Sequence, residues 1–276
     1  MNAATTTRRA RPHRWRLVAA ALLATAGCRF MPEGGHWIEA HGTARAKHIA
    51  GAPTGVQAIG MDDTMYLYPT DWARPWRSLG AQQVKALAAS SAAFYVISPG
   101  GEVVRIVNGH WTPYAGSVGW GVTALAASSD DKLYGVVGGR LRRIEGADLR
   151  DAPCSDKGVA RVAARGDEVF VVDGAGTLFR GAGGTCAPET SPGPLRDVAA
   201  FPGRLVAVAR DGSVWRRRDG GAWRPLPPIR KYRTGRYPYL VTALEASLSA
   251  TSTWILDEEN AVFLLSDELA ESGATK

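Results

Sequence analysis

Val159-Ala160-Arg161-Val162-Ala163-Ala164 is followed by Gly176-Thr177-Leu178-Phe179-Arg180, and these two phrases return together along the chain. The first, a small-residue apolar phrase, reappears as Val84-Lys85-Ala86-Leu87-Ala88-Ala89 and Val122-Thr123-Ala124-Leu125-Ala126-Ala127. It returns again as Leu195-Arg196-Asp197-Val198-Ala199-Ala200 and Val241-Thr242-Ala243-Leu244-Glu245-Ala246, with Val56-Gln57-Ala58-Ile59-Gly60 read as a divergent first copy. These starts lie 28, 38, 37, 36 and 46 residues apart. The second phrase, Gly-x-apolar-x-Arg, runs Gly101 to Arg105, Gly139 to Arg143, Gly176 to Arg180 and Gly212 to Arg216, at spacings of 38, 37 and 36. A last copy, Asn260-Ala261-Val262-Phe263-Leu264, loses both the Gly and the Arg. Two independent phrases in one register mean one structural unit repeated about every 37 residues.

Short alternating runs such as Glu168-Val169-Phe170-Val171-Val172 lie between the phrases, and Gly-His-Trp or a similar phrase follows them. The runs are five or six residues long, alternate in polarity and are bounded by Gly or Asp, so they read as strands. Four strands per unit, Ala-rich first and aromatic later, match a blade whose inner strand crowds an axis and whose outer strands have room. The fold class is therefore all-β, a single β-propeller. Six four-stranded blades are expected. Seven are the alternative, because residues 41–55 do not align with the other units. The final copy lacks an outer strand, while Gly34-Gly35-His36-Trp37-Ile38 matches Gly109-His110-Trp111-Thr112. An N-terminal strand is expected to close the ring and remove an exposed sheet edge.

The phrases resemble tectonin-type and RCC1-like bacterial propeller repeats, above all Gly212-Ser213-Val214-Trp215-Arg216 and Gly176-Thr177-Leu178-Phe179-Arg180. The resemblance covers nearly the whole repeat region. It implies a module that binds glycans, lipopolysaccharide or proteins, and it transfers no ligand residue.

The N-terminus reads as a sorting segment. Five Arg and no acid precede a short apolar run, Leu17 to Ala26, which is half the length of a membrane span. Leu23-Ala24-Thr25-Ala26-Gly27-Cys28 resembles a bacterial lipobox, with Thr25 where Leu is usual. That resemblance implies cleavage before Cys28 and lipidation of it. The expected organisation is a signal peptide at 1–27, a lipidated tether at 28–34, the propeller at 35–270 and a tail at 271–276. Removing 1–27 lowers the formal net charge from +7 to +2, so the basic pI belongs mostly to the leader. The pI is therefore not a nucleic-acid signature, and no nucleic-acid partner is expected of an exported chain. The expected location is the bacterial envelope, anchored in the lipid bilayer. Arg29 after Cys28 favours the outer over the inner membrane. Cys154 and Cys186 are the other two cysteines, and in an oxidising compartment they are expected to pair.

Pro227 to Leu240 is the largest irregularity in the repeat and holds Arg230, Lys231, Tyr232, Arg233, Arg236, Tyr237 and Tyr239 with no acid. Arg pairs with phosphate or carboxylate, and Tyr covers apolar or sugar surface. This loop is the expected binding surface for an envelope protein or anionic glycan. Trp120, in a Gly-rich loop before an inner strand, is the expected recognition residue on one face. Recurrence once per blade assigns Arg105, Arg143, Arg180 and Arg216 to packing, together with Trp37, Trp76, Trp111, Trp215 and Trp223. Lys85, Arg161, Asp197 and Glu245 are polar positions on otherwise apolar inner strands and read as a structural ionic cluster. No zinc, EF-hand, nucleophile-elbow or phosphate-loop spacing is present, so no catalytic residue, metal or cofactor is expected. The expected function is a non-catalytic binding or assembly module. A metal-dependent hydrolase or lactonase using the central channel, and a purely structural subunit, are the alternatives.

Overall fold

The computed structural model describes residues 37–40, 45–52, 55–69, 76–81, 83–114, 116–231 and 239–266. All of them belong to the unit Gly34–Lys276. The expected leader, tether and tail, Cys28, and Tyr232, Arg233, Arg236 and Tyr237 lie outside the described residues. No helix among the described residues is long and apolar enough to cross a membrane.

The described residues form six four-stranded antiparallel sheets and one two-stranded ribbon. Blade 1 holds β2 (Ala46–Ala52), β3 (Gly55–Gly60), β4 (Thr64–Pro69) and β5 (Arg77–Ala81). Blade 2 holds β6 (Ala86–Ala89), β7 (Phe94–Ile97), β8 (Val103–Val107) and β9 (His110–Pro113). Blade 3 holds β10 (Val122–Ala127), β11 (Leu133–Val137), β12 (Arg140–Glu145) and β13 (Asp148–Asp151). Blade 4 holds β14 (Val159–Arg165), β15 (Glu168–Asp173), β16 (Leu178–Ala182) and β17 (Thr185–Pro188). Blade 5 holds β18 (Leu195–Phe201), β19 (Arg204–Ala209), β20 (Val214–Arg218) and β21 (Arg224–Pro225). The ribbon pairs β22 (Arg230–Lys231) with β23 (Tyr239–Leu240). Blade 6 combines β24 (Ala243–Leu248), β25 (Ser252–Asp257) and β26 (Val262–Ser266) with β1 (Ile38–Glu39) from the start of the propeller.

The ring therefore closes as expected. Ile38 and Glu39 pair with Leu264 and Phe263, and the Ala40 N–H donates to Val262 O at 2.8 Å. The core is divided among the contacts between neighbouring blades. Tyr95, Ile97 and Val103 of blade 2 pack with Leu125 and Leu133 of blade 3. Phe170, Val172 and Leu178 of blade 4 pack with Val198 and Leu205 of blade 5. Ile49, Val56 and Tyr68 of blade 1 meet Trp254 and Leu264 of blade 6, so the joint between the ends is as apolar as the others.

The repeated Gly has a specific task. Gly101, Gly176 and Gly212 have φ of 82°, 91° and 83°, in the turn between the second and third strands. Their carbonyls accept from the next blade's inner strand: Val122 N to Gly101 O at 3.0 Å, Leu195 N to Gly176 O at 2.8 Å, and Ala243 N to Gly212 O at 3.4 Å. A Cβ at Gly176 would stand 2.8 Å from the Leu195 backbone nitrogen, so a left-handed turn and close approach both demand glycine. Asn260, at φ 64°, fills this slot in blade 6 and accepts from Ala46 N at 2.8 Å. The last copy thus loses the glycine and keeps the latch, because Asn tolerates the left-handed region.

Two expected registers are corrected. Val56–Gly60 belongs to β3, the second strand of blade 1, and the inner strand is β2, Ala46–Ala52. Starting from Ala46 restores a spacing of 38 to Val84 and removes the reason for a seventh blade. In blade 6 the equivalent of Leu195 is Ala243, two residues beyond Val241. Both Leu195 and Ala243 receive the latch and precede a bulge, which decides the alignment.

The repeated Arg residues brace blades. Arg105 Nη2 lies 3.7 Å from Asp131 Oδ2, and Arg143 Nη1 lies 3.3 Å from Asp167 Oδ1, each acid in the next blade's first turn. Arg180 pairs with Glu168 of its own blade. Tyr95 also donates to Asp131, at 2.7 Å, and burial with this bond raises its pKa to about 12. Arg204 is half-buried. Burial, then the charges of Arg216 and Arg218, lower its pKa to about 10, while it donates to Ser249 O.

Cys154 and Cys186 form a disulfide. Cys154 lies in the connection from blade 3 to blade 4, and Cys186 lies on β17, the outer strand of blade 4. The bond staples that connection to the rim.

Candidate functional site

The inner strands β2, β6, β10, β14, β18 and β24 surround a central channel of about 220 Å³. Most of its wall is Ala, Val and Leu, which small-residue crowding at an axis requires. The end at which the inner strands begin is different. There the lining consists of His48, Lys85, Thr123, Arg161, Asp197 and Glu245.

A bulge produces this rim. The ladder shifts between Ala46 and His48, Val122 and Ala124, Val159 and Arg161, Leu195 and Asp197, and Ala243 and Glu245. A bulge re-aims the side chain beside it. His48, Arg161, Asp197 and Glu245 each follow the bulge of their strand and face the channel. They come from blades 1, 4, 5 and 6, so they form an arc. His48 Nδ1 lies 3.3 Å from Glu245 Oε2, and Arg161 Nε lies 3.8 Å from Asp197 Oδ1. Asp197 Oδ2 accepts from Ala246 N at 2.7 Å, and Glu245 Oε1 accepts from Ile49 N at 3.4 Å. The expected cluster of Arg161, Asp197 and Glu245 is thus assembled. His48 joins it, which sequence reasoning missed because β2 was not read as an inner strand.

Asp197 is buried, and burial first, then the Glu245 charge, push its pKa up to about 7. A folded-state pKa above the unfolded value means the folded state holds the proton more tightly. Its stabilising contribution is full below the ordinary carboxylate range and is lost as pH rises through about 7. Asp197→Asn keeps an oxygen for Ala246 N and removes the charge. It is expected to stabilise the fold at pH 8 by on the order of 2 kcal/mol and by much less at pH 5. Thermal unfolding of both proteins at the two pH values measures this. An equal gap at pH 5 and pH 8 would show that Asp197 does not titrate between them.

The hairpin of β22 and β23 interrupts the connection into β24, so it stands at the same end as the polar rim. Lys231 Nζ contacts Glu259 Oε2 at 2.8 Å and Asp257 Oδ2 at 3.2 Å, and Tyr239 Oη donates to Glu259 at 3.2 Å. Burial opposes the charged form of Lys231, but the bond to Glu259 and the Asp257 charge outweigh it and raise its pKa. Lys231 and Tyr239 therefore brace the hairpin against the β25–β26 turn. Arg230 and Leu240 are exposed at its base, Leu240 by 64%. Trp120 is half-buried against the apolar cluster between blades 2 and 3.

The sequence matches no protein-family model and no curated protein. Solved structures do match. A gluconolactonase from Xanthomonas campestris superposes with a TM-score of 0.59 at 12% identity, over 87% of this chain and 99% of that one. YCF48 bound to D1 peptide gives 0.53 at 11% identity, over 86% and 96%. PorZ, an essential bacterial surface component of the type-IX secretion system of Porphyromonas gingivalis, gives 0.52 at 14% identity over 84% of this chain. The chain spans 38% of the length of PorZ. The likeness is one of fold. It supports the propeller and does not single out tectonin-type or RCC1-like repeats.

Among the described residues, no group of three or more His, Cys, Asp or Glu side chains is arranged to hold a metal ion. Chemically, the rim sets guanidinium, ammonium and imidazole groups beside two carboxylates. That mixture suits recognition of a polar or charged partner by hydrogen bonds and ion pairs.

Proposed function

We propose that the protein is a non-catalytic binding or assembly module of the bacterial envelope, held to the bilayer by lipid on Cys28. The observation that carries the reading is the braced hairpin. Its base, the β22–β23 pair, is fixed by Lys231 and Tyr239 at the rim end of a closed propeller. A rigid scaffold that presents a cationic loop fits partner capture. PorZ, a surface component of a secretion system, and YCF48, seen with a bound peptide, show what propellers of similar fold do elsewhere. An envelope protein or an anionic glycan is the proposed partner, and the outer membrane is the proposed location.

A channel hydrolase is the second reading, favoured by the gluconolactonase fold and by Asp197 and Glu245 at the rim. Against it, Arg161 and His48 already partner these carboxylates, and the guanidinium beside Asp197 disfavours a divalent metal there.

The test is a crosslinking pull-down from native envelopes with Arg230→Gln/Arg233→Gln/Arg236→Gln. Lys231 is left intact because it braces the fold. The variant is expected to keep its melting temperature and lose specific partners. An unchanged partner set overturns the hairpin's role. Labelled fatty acid is expected to enter the wild-type chain and not Cys28→Ser, and equal labelling would contradict the anchor.

A further inference from the structure

A second concavity opens beside the channel, between blades 4 and 5, over about 430 Å³. Ala160, Val172 and Leu195 form its apolar part, and Val172 and Leu195 are buried. Arg161, Arg196 and Arg210 supply its charge. Arg161 also lines the channel, so the groove leads outward from the polar rim.

Three guanidiniums share this groove with one carboxylate, and that carboxylate is engaged. Asp173 Oδ1 accepts from Ala175 N at 2.9 Å and Thr177 N at 2.8 Å, holding the β15–β16 turn. Arg210 Nη2 donates to Gly174 O at 2.6 Å, across the gap between blades. Arg196 Nη2 donates to Arg210 O at 3.4 Å, and Arg161 Nη1 donates to Ala160 O at 2.9 Å. Among the described residues, neither Arg196 nor Arg210 has a carboxylate within ion-pair distance. The backbone carbonyls orient the planar forks without neutralising them. A guanidinium carries five N–H donors, so most of the donors of Arg196 and Arg210 remain for another acceptor, while Arg161 also keeps its contact with Asp197 at 3.8 Å. Two features of the fold create the convergence. Arg196 is the extra residue of the β18 bulge, and Arg210 heads the β19–β20 turn.

We propose that this groove binds a small organic oxyanion, a carboxylate or a phosphate monoester, whose charged group is clasped by Arg196 and Arg210 and also faces Arg161. Planar guanidiniums match both groups bidentately. Ala160, the exposed apolar residue of the lining, would meet the body of the ligand. The site is independent of the hairpin, so the pull-down can fail while this inference stands, and the reverse.

Calorimetric titration of the full-length protein at low salt tests it, with inorganic phosphate, glucose 6-phosphate, glucuronate and neutral glucose as probes. Saturable binding of at least one anion is expected, with none for glucose. Whether glucuronate or the phosphate probes bind assigns the charged group. Arg196→Ala/Arg210→Ala is expected to weaken binding at least tenfold with an unchanged melting temperature. Arg150→Ala, an exposed arginine on blade 3, is expected to bind as wild type. Failure of all three anions to bind overturns the inference. So does equal binding by the double variant, or equal loss in Arg150→Ala, which would mark general surface charge. If the double variant unfolds, Arg196→Lys/Arg210→Lys takes its place. Loss of the bidentate fork is expected to weaken binding there too, and wild-type affinity overturns the inference.

Discussion

Trp37→Ala is expected to destabilise the fold by about 4 kcal/mol, in line with large aromatic truncations in well-packed cores. Trp37 precedes the closing strand β1, is only 8% exposed, and packs in the cluster that joins blades 5 and 6. Its Nε1 donates to Pro227 O at 2.7 Å, so the same ring also ties down the connection to the hairpin. Truncation leaves a cavity and an unpaired carbonyl at the seam. The seam is where the chain's distant ends meet, and only β1 completes the sheet of blade 6. Trp111, the repeat counterpart in blade 2, is half-buried, and Trp111→Ala is expected to cost less. Equilibrium unfolding in denaturant measures both. A loss below about 1 kcal/mol for Trp37→Ala would mean that β1 does not hold the ring.

Cys154→Ala/Cys186→Ala is expected to cost about 3–4 kcal/mol by the loop-entropy model. The bond closes a segment with a sequence separation of 32 residues, within which lie β14, β15 and β16. Cys154 is buried against Cys186 and the blade 3–4 cluster, so the double variant also loses packing there. Denaturant midpoints of the oxidised wild type, the reduced wild type and the double variant give the comparison. The two thiol-free or reduced forms are expected to fall together below the oxidised protein. A midpoint unmoved by reductant would show that the staple adds nothing to stability.

Why some elements were legible in the sequence and others not has a physical basis. Gly101, Gly139, Gly176 and Gly212 could be counted because the turn needs a left-handed residue once per blade, and glycine is the default there. Asn260, and Asp63 at φ 61°, meet the same need with a different residue and broke the pattern at the two end blades. Blade 1 was misread because Ala46-Lys47-His48-Ile49-Ala50-Gly51-Ala52 has one large apolar residue, and Gly51 must stay small beside the Leu248 backbone. Blade 6 was read two residues early because Leu244 occupies the bulge and mimics the apolar phrase. The rim was partly visible as polar breaks at Arg161, Asp197 and Glu245 in Ala-rich strands. The Arg groove was not. Arg196 and Arg210 sit 14 residues apart, and only the β18–β19 register and the blade 4 turn bring them to one concavity. Treating the bulge residue as its own repeat position would have exposed Arg196.

Partner recognition is proposed at the end of the propeller that carries the polar rim and the base of the hairpin. A photo-crosslinking residue placed in living cells at Leu240, on the hairpin, and separately at Asp167, in the β14–β15 turn at the opposite end, tests it most directly. Both positions are well exposed, Leu240 by 64% and the Asp167 side chain by 67%. A discrete adduct is expected from Leu240 and none from Asp167. Adducts from Asp167 alone, equal adducts from both ends, or none from Leu240 would contradict it.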